Sequence, residues 1–304
     1  MELIDKMVPI FEMLVGVAGA GKSTYAKERK KEIETVFGEQ AEIVSSDAIR
    51  GELWGDENDQ REPEKVFEVM LNRTKDYLSR GINVIYDACN FSEKYRKITL
   101  QNIEGIHCRK KAIIFIVQPE VCIARQETRE RKVPIHVIWR QIKQFQIPHE
   151  SEGWDGIEVY CKPYNDEEFE ERMKLIKDFD QKNPHHTRNL DEHMLAAAYY
   201  SFSHHFPEEV SRAVMLHDFG KVFTQEFDKK GVAHYYNHEN VSAYYYFLLT
   251  GDIWWTGRTI SWLINHHMDF FKGEKYLAKL KKQLNDDKLY EMLEQVHECD
   301  INTH

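Results

Sequence analysis

Apolar and polar positions follow two different periods along this chain. In the first half, short β-branched runs recur: IFEMLVGV at 10–17, EIVSSD at 42–47, INVIYDA at 82–88 and KAIIFIV at 111–117, each followed by a charged, helix-like stretch. That alternation predicts βαβ units and so a parallel sheet flanked by helices. From about residue 168 the pattern changes to apolar residues every three or four positions, as in LDEHMLAAAYYSFSHHF, EEVSRAVMLHDFGKVF and RTISWLINHHMDFF. This period belongs to helices packed on helices. The stretch 147–168 between the two textures carries Pro148, Gly153, Gly156 and Pro163 and reads as a connector. We therefore expect two domains, an α/β domain over residues 1–165 and an all-α domain over residues 166–304.

The first apolar run leads into Gly16-Val17-Ala18-Gly19-Ala20-Gly21-Lys22-Ser23, which fits GxxxxGK[ST]. Glycines let backbone N–H groups turn inward around phosphate oxygens, Lys22 reaches the β- and γ-phosphates, and the Ser23 hydroxyl ligates Mg²⁺. Such a loop implies ATP and Mg²⁺ but leaves the acceptor open. Three later segments bear on it. Asp47 and Arg50 are three residues apart, so on a helix opening at Asp47 they share a face, a carboxylate for the acceptor's proton beside an arginine for a phosphate. Asp87 and Asn90 follow the third run, at the strand end where open α/β sheets place ligands. Arg125 and Arg129 follow the fourth run one helical turn apart, in a segment suited to a lid that neutralises transferring phosphate.

Through GVAGAGKST, SDAIR, VIYDACN and RQETRERKVPIHVI, taken in that order, residues 8–150 resemble the phage-type polynucleotide 5′-hydroxyl kinases. The resemblance implies an α/β P-loop kinase domain in which Gly16, Gly19, Gly21, Lys22, Ser23 and Thr24 hold ATP and Mg²⁺. It further implies Asp47 as general base, Arg50 on the acceptor's phosphate, Arg125 and Arg129 as the lid, and Asp87 with Asn90 on the substrate side.

Histidines gather in the second half: His185 and His186, His193, His217 in LHDFGK, His234 and His238, then His266 and His267, with Asp300 near the end. Neutral imidazoles and carboxylates converging from helices can hold a divalent cation whose bound water attacks phosphorus. On a helix, His217 and Asp218 point about 100° apart and can face two cations or flank one. Residues 180–304 resemble the HD-domain metal-dependent phosphohydrolases. That resemblance implies an all-α HD domain in which His193, His217, Asp218 and Asp300 bind metal. His238 and His266 or His267, with His266 preferred, complete a two-metal version, and Lys221 holds substrate phosphate. Mixed N/O ligands fit Mn²⁺, Mg²⁺, Ni²⁺, Co²⁺ or Fe alike.

Taken together, these readings predict an end-healing enzyme for nucleic acid, RNA in preference to DNA. It would pair a 5′-hydroxyl kinase with a 3′-phosphatase or 2′,3′-cyclic phosphodiesterase and leave sealing to a separate ligase. The formal charge of −10 argues against unspecific attraction to polyanions and keeps a small-molecule alternative in view, a nucleoside or nucleotide kinase joined to a nucleotidase. A nucleotide-gated interaction protein is a third class. The first 165 residues are close to charge balance and the remainder is acidic, so a polyanion grip is expected in the first half. Five scattered cysteines without a CxxC suggest neither disulfides nor a thiolate zinc site. With no long apolar stretch, a cytoplasmic protein without a membrane partner is expected. Trp139, Trp154, Trp254, Trp255 and Trp262 are candidates for base stacking, a use rarer than core packing.

Overall fold

The structure is a computed structural model that describes residues 8–129, 132–184 and 187–303. His185, His186, His304 and part of the arginine segment (130–131) lie outside the described residues. Two compact units emerge, one of residues 1–115, 121–133 and 152–160, the other of residues 116–120, 134–151 and 161–304.

The first unit is built on a sheet of β1 (Ile10–Gly16), β2 (Ala41–Ser45), β3 (Asn83–Asp87), β4 (Arg109–Ile116) and β5 (Gly156–Cys161), in the order β2-β3-β1-β4-β5. The pairs β1–β3, β1–β4 and β2–β3 are parallel. Phe11, Met13, Leu14 and Val15 of β1 are all fully buried, as a central strand covered on both faces requires. Glu12 is buried among them and is answered by Arg29 at 2.9 Å. The flanking helices are α1 (Lys22–Thr35), α2 (Ser46–Trp54), α3 (Pro63–Ser79), α4 (Glu93–Asn102) and α5 (Pro119–Glu127). In α3, Pro63 fits the first turn, and Val66, Met70, Thr74 and Leu78 form one buried stripe at four-residue spacing. The register sets Leu14 beside Asp87 and Gly16 beside Phe115. The carboxyl ends of β1 and β3 therefore open at the same edge.

The sequence pattern predicts four strands, and β5 is a correction, since its residues fall in the presumed connector. Of that strand only Val159 is buried, so it carries no apolar run between its Gly and Pro neighbours. Two bonds hold its start: the Asp155 carboxylate accepts from Lys110 N–H at 2.7 Å and Asp155 N–H donates to Lys110 O at 2.8 Å.

The second unit contains α6 (Ile135–Ile142), α7 (Asp166–Lys174), α8 (Leu190–Ser203), α9 (Glu208–Leu216), the short α10 (Lys221–Thr224), α11 (His238–Thr250), α12 (Trp255–His266), α13 (Glu274–Leu284) and α14 (Asp287–Ile301). Two two-residue strands, β6 (Glu226–Phe227) and β7 (Ala233–His234), form a small hairpin within it. Residues Val241–Leu248 of α11 are buried on every side, which makes it the central helix of the unit. Residues 134–151 pack here through Ile138, Ile142, Phe145 and Ile147. The Asn265 amide fixes their end, accepting from Ile147 N–H and donating to Phe145 O, both at 2.9 Å. No helix among the described residues is long and apolar enough to cross a membrane.

Candidate active site and metal centre

β1 ends at Gly16 and α1 begins at Lys22, so the intervening loop presents its N–H groups at a helix N-terminus. Gly19 and Gly21 adopt positive φ, 89° and 102°, and at Gly19 a Cβ would stand 2.7 Å from the Gln126 amide and 2.8 Å from Cys122 O. Glycine is thus required twice over there. Lys22 Nζ bonds to Gly16 O at 2.7 Å and Val17 O at 3.0 Å, which holds the ammonium over the loop. Arg125 reaches the same loop, donating to Gly19 O at 2.8 Å. Ser23 and Thr24 are exposed at the head of α1. Arg129 departs from the expected helical spacing because α5 ends at Glu127. There the Thr128 hydroxyl takes the Arg125 carbonyl and Gln126 Oε1 accepts from Val133 N–H. Arg129 lies exposed beyond the helix.

Asp47 and Arg50 meet as the spacing predicts, Nη1 to Oδ1 at 2.6 Å, in a helix that opens one residue earlier, at Ser46, with Ser45 as its cap. The Asp47 side chain is about half exposed, at 48%. Arg50 is buried, and its Nε has no hydrogen-bond partner among the described residues. Asp87 ends β3, and Asn90 follows it in the chain. The Asp87 carboxyl is raised, burial outweighing Lys22 and a hydrogen bond from Ser23, which hold it down, and so it lies close to the loop that carries both. Asn90, with φ of 53°, spends its amide on Leu14 O at 2.7 Å and ties the loop to β1. Gly16 N–H donates to Cys89 O beside it at 3.2 Å.

In the helical unit, His193, His217, Asp218 and Asp300 bring donor atoms within 4.8 Å of one another, and Asp218, His238 and His267 do the same. Asp218 is common to both groups. Its Oδ2 lies 3.3 Å from His193 Nε2 and 3.4 Å from His217 Nε2, and its Oδ1 lies 3.0 Å from His238 Nε2 and 3.7 Å from His267 Nε2. Asp300 Oδ1 stands 3.2 Å from His193 and 3.4 Å from His217. The donors come from helix ends: α9 stops at Leu216, so His217 and Asp218 occupy the turn before α10 and not the continuous helix expected. Gly220 allows that turn, because a Cβ there would lie 2.3 Å from His238 O.

Each of the four imidazoles has its Nδ1 on a backbone carbonyl: His193 on Thr303 at 3.2 Å, His217 on Val214 at 2.7 Å, His238 on Tyr235 at 2.7 Å and His267 on Ile264 at 2.8 Å. A carbonyl only accepts, so Nδ1 carries the proton and Nε2 offers its lone pair inward. Nε2 atoms face each other at 3.3 Å between His193 and His217 and at 3.2 Å between His238 and His267. Burial pushes Asp218 and Asp300 up, but His217 with Lys221 for the first, and His193 with His217 for the second, hold both well below the usual carboxylate range. Burial likewise opposes a charge on His193, yet the two carboxylates raise it to about 9. Lone pairs and carboxylates gathered this closely fit a divalent cation, which supplies the positive charge those carboxylates otherwise draw from a proton.

Of the two neighbouring histidines, His267 and not the preferred His266 stands in the second donor group. His266 stacks on Trp262 at 4.1 Å and gives its Nδ1 to Asp269 at 2.7 Å, while burial beside His217 and His238 lowers His267 to about 3 and keeps it neutral. Lys221 Nζ contacts Asp218 Oδ2 at 2.6 Å and Gln181 Oε1 at 2.8 Å.

Residues 12–148 match the family model of the AAA domain, and residues 188–300 match that of the HD domain. The chain joins an AAA domain to an HD domain. The AAA match spans the P-loop, Asp47, Asp87 and Arg125, and the HD match takes in every donor of the His/Asp centre. Among solved structures, the Pnkp1/Rnl/Hen1 RNA repair complex is 22% identical over 46% of this chain and 44% of that chain, with a TM-score of 0.40. A gluconokinase from Sinorhizobium meliloti 1021 is 16% identical over 51% and 85%, with a TM-score of 0.35. The PezAT toxin–antitoxin system of Streptococcus pneumoniae is 18% identical over 51% and 67%, also at 0.35. The chain spans less than half the length of the first of these.

Two features of the helical unit escape sequence reasoning. Gln181, buried beside Lys221, sits in a polar stretch with no periodicity to single it out. The Thr303 carbonyl, which orients His193, has no side-chain signature at all. The distinction between the neighbouring histidines has a direct test: His267→Ala is expected to lower metal retention more than tenfold, whereas His266→Ala should alter stability more than metal content. Metal analysis of the purified variants reads the difference, and equal losses from both would contradict the assignment.

Proposed function

We propose that the chain heals nucleic acid ends, its AAA domain adding a phosphate to a 5′-hydroxyl and its HD domain removing a 3′-terminal or 2′,3′-cyclic phosphate, with RNA as the preferred substrate. The observation that carries this reading is Arg50, a buried guanidinium paired with Asp47 through one nitrogen while its Nε is unsatisfied among the described residues. An acceptor hydroxyl next to a phosphate of its own, as at a polynucleotide end, would suit both members of that pair.

In the transfer step, Asp47 takes the proton of the attacking hydroxyl, and Arg50 holds the neighbouring phosphate. Lys22, the loop N–H groups and Arg125 stabilise charge on the phosphoryl oxygens of ATP, and Ser23 with Asp87 would hold Mg²⁺. In the HD domain, His193, His217, Asp218 and Asp300 would hold one cation and Asp218, His238 and His267 a second. A divalent ion in such a site polarises a phosphoryl oxygen and acidifies water. The chain's own share is orientation: backbone carbonyls fix each ring, and Lys221 places positive charge against Asp218. Sealing of the healed ends falls to a separate ligase.

The test is phosphate transfer from ATP to a 5′-hydroxyl oligoribonucleotide, compared with a nucleoside. Asp47→Asn is expected to slow the oligonucleotide reaction by about 10²–10⁴-fold. Undiminished transfer in that variant would remove Asp47 from the mechanism. Transfer to the nucleoside alone would favour the small-molecule reading, which the net charge of −10 suits.

A further inference from the structure

One surface in the helical unit has no part in the chemistry above. An open groove of about 760 Å³ runs along the outer face of α6 and is lined by Ile135, His136, Trp139, Arg140, Lys143 and, from across the groove, Asn237. Two cations, Arg140 and Lys143, stand with His136 about an indole. Trp139 rests on Phe223, with ring centroids 5.5 Å apart and planes 25° apart, which holds the indole in place. Glu226, 3.2 Å from Lys143, is the acid that answers this charge among the described residues. The groove also adjoins the start of α11, which carries His238. Asn237, with φ of 62°, immediately precedes His238, and the Asn240 amide donates to Lys143 O at 2.9 Å. That bond fastens α6 to α11 within one turn of His238.

We infer that this groove carries the single strand whose end enters the His/Asp centre, an inference that rests on the nucleic-acid reading above. A fixed aromatic ring offers a stacking surface to any base, and cations at its flanks track the phosphates. A buried phosphohydrolase centre for mononucleotides has no use for such a track. The charge balance of the sequence leads one to expect any polyanion grip in the first 165 residues, and α6 lies within them, although it packs with the helices.

Binding of a 5′-fluorescein-labelled, 3′-phosphorylated decauridylate to the full chain, followed by anisotropy from low to moderate salt, tests the groove. Trp139→Ala and the double variant Arg140→Ser/Lys143→Ser are each expected to weaken binding by about tenfold. The double variant should also flatten the dependence of log K on log salt by about 1. Trp139→Phe retains an aromatic face and should restore most of the affinity lost in Trp139→Ala, which separates stacking from a folding defect. Glu226→Gln, by freeing Lys143, should tighten binding. Wild-type affinity and salt slope in the double variant, or a wild-type chain that binds the decamer no better than uridine 3′-monophosphate, would overturn the inference. Because binding is scored without turnover, the result stands apart from phosphate release, which separately tests the end-healing reading.

Discussion

Asp218→Asn is expected to leave the HD domain folded and nearly metal-free, with affinity for the ion reduced by more than about a hundredfold and phosphoester hydrolysis reduced in step. The expectation follows from the sharing of one carboxylate: Oδ2 faces His193 and His217, and Oδ1 faces His238 and His267. An amide keeps the volume but supplies a single neutral acceptor, so both donor groups lose their common charge at once. Loss of an outer-shell partner alone costs about 10–100-fold in metal affinity, and a shared ligand should cost more. Metal content by emission spectrometry and hydrolysis of bis(p-nitrophenyl) phosphate measure the two effects. A variant that retained its full complement of metal would show that the two groups do not depend on Asp218.

The second large effect belongs to the AAA domain. Arg96 is fully buried, and Glu152 answers it through both oxygens, Nε to Oε2 at 2.8 Å and Nη2 to Oε1 at 2.6 Å. The third nitrogen, Nη1, bonds to Asn90 O at 3.1 Å and Phe91 O at 2.8 Å. Glu152→Ala would strand a guanidinium in the interior, a change that costs about 3–5 kcal/mol. Urea unfolding should show the transition of this domain moving to lower denaturant, and a loss below about 1 kcal/mol would contradict the assigned role. Replacing both partners, Arg96→Leu with Glu152→Leu, removes the stranded charge and should recover part of the loss. ATP affinity should fall with stability in Glu152→Ala, since the loop that Arg96 clamps also accepts from Gly16 N–H through Cys89 O.

How far these sites can be read in the sequence depends on whether local pattern or distant packing decides each residue. GVAGAGKS after an apolar run specifies its own loop, because the glycine conformations and the helix start are local. The three interior strands, β1, β3 and β4, are legible for a similar reason, since burial on both faces requires continuous apolar runs. β5 is not, because an edge strand needs few apolar residues and its pairing partner, β4, lies some 45 residues earlier in the chain. The HD centre is legible as a set of histidines but not as a ligand list. His266 and His267 have the same chemistry, and what separates them is the residue at which α12 gives way to a 3-10 turn. Arg129 and Asn90 show the same limit. Both have residue types that suit phosphate or substrate, but a helix that ends early and a carbonyl of β1 decide where they go.

In three of the four inward-facing histidines, the carbonyl that holds Nδ1 belongs to the residue three positions earlier, Val214, Tyr235 and Ile264. The rings are therefore set by the helix ends themselves and do not wait for an ion to draw them together. Such a site behaves as a preformed chelator: a competing chelator should strip it without unfolding the helices, and one divalent metal can replace another on the same scaffold. Were a metal bound in a cell, its identity would follow supply as much as affinity, and hydrolysis at this site would track the metal pool around it.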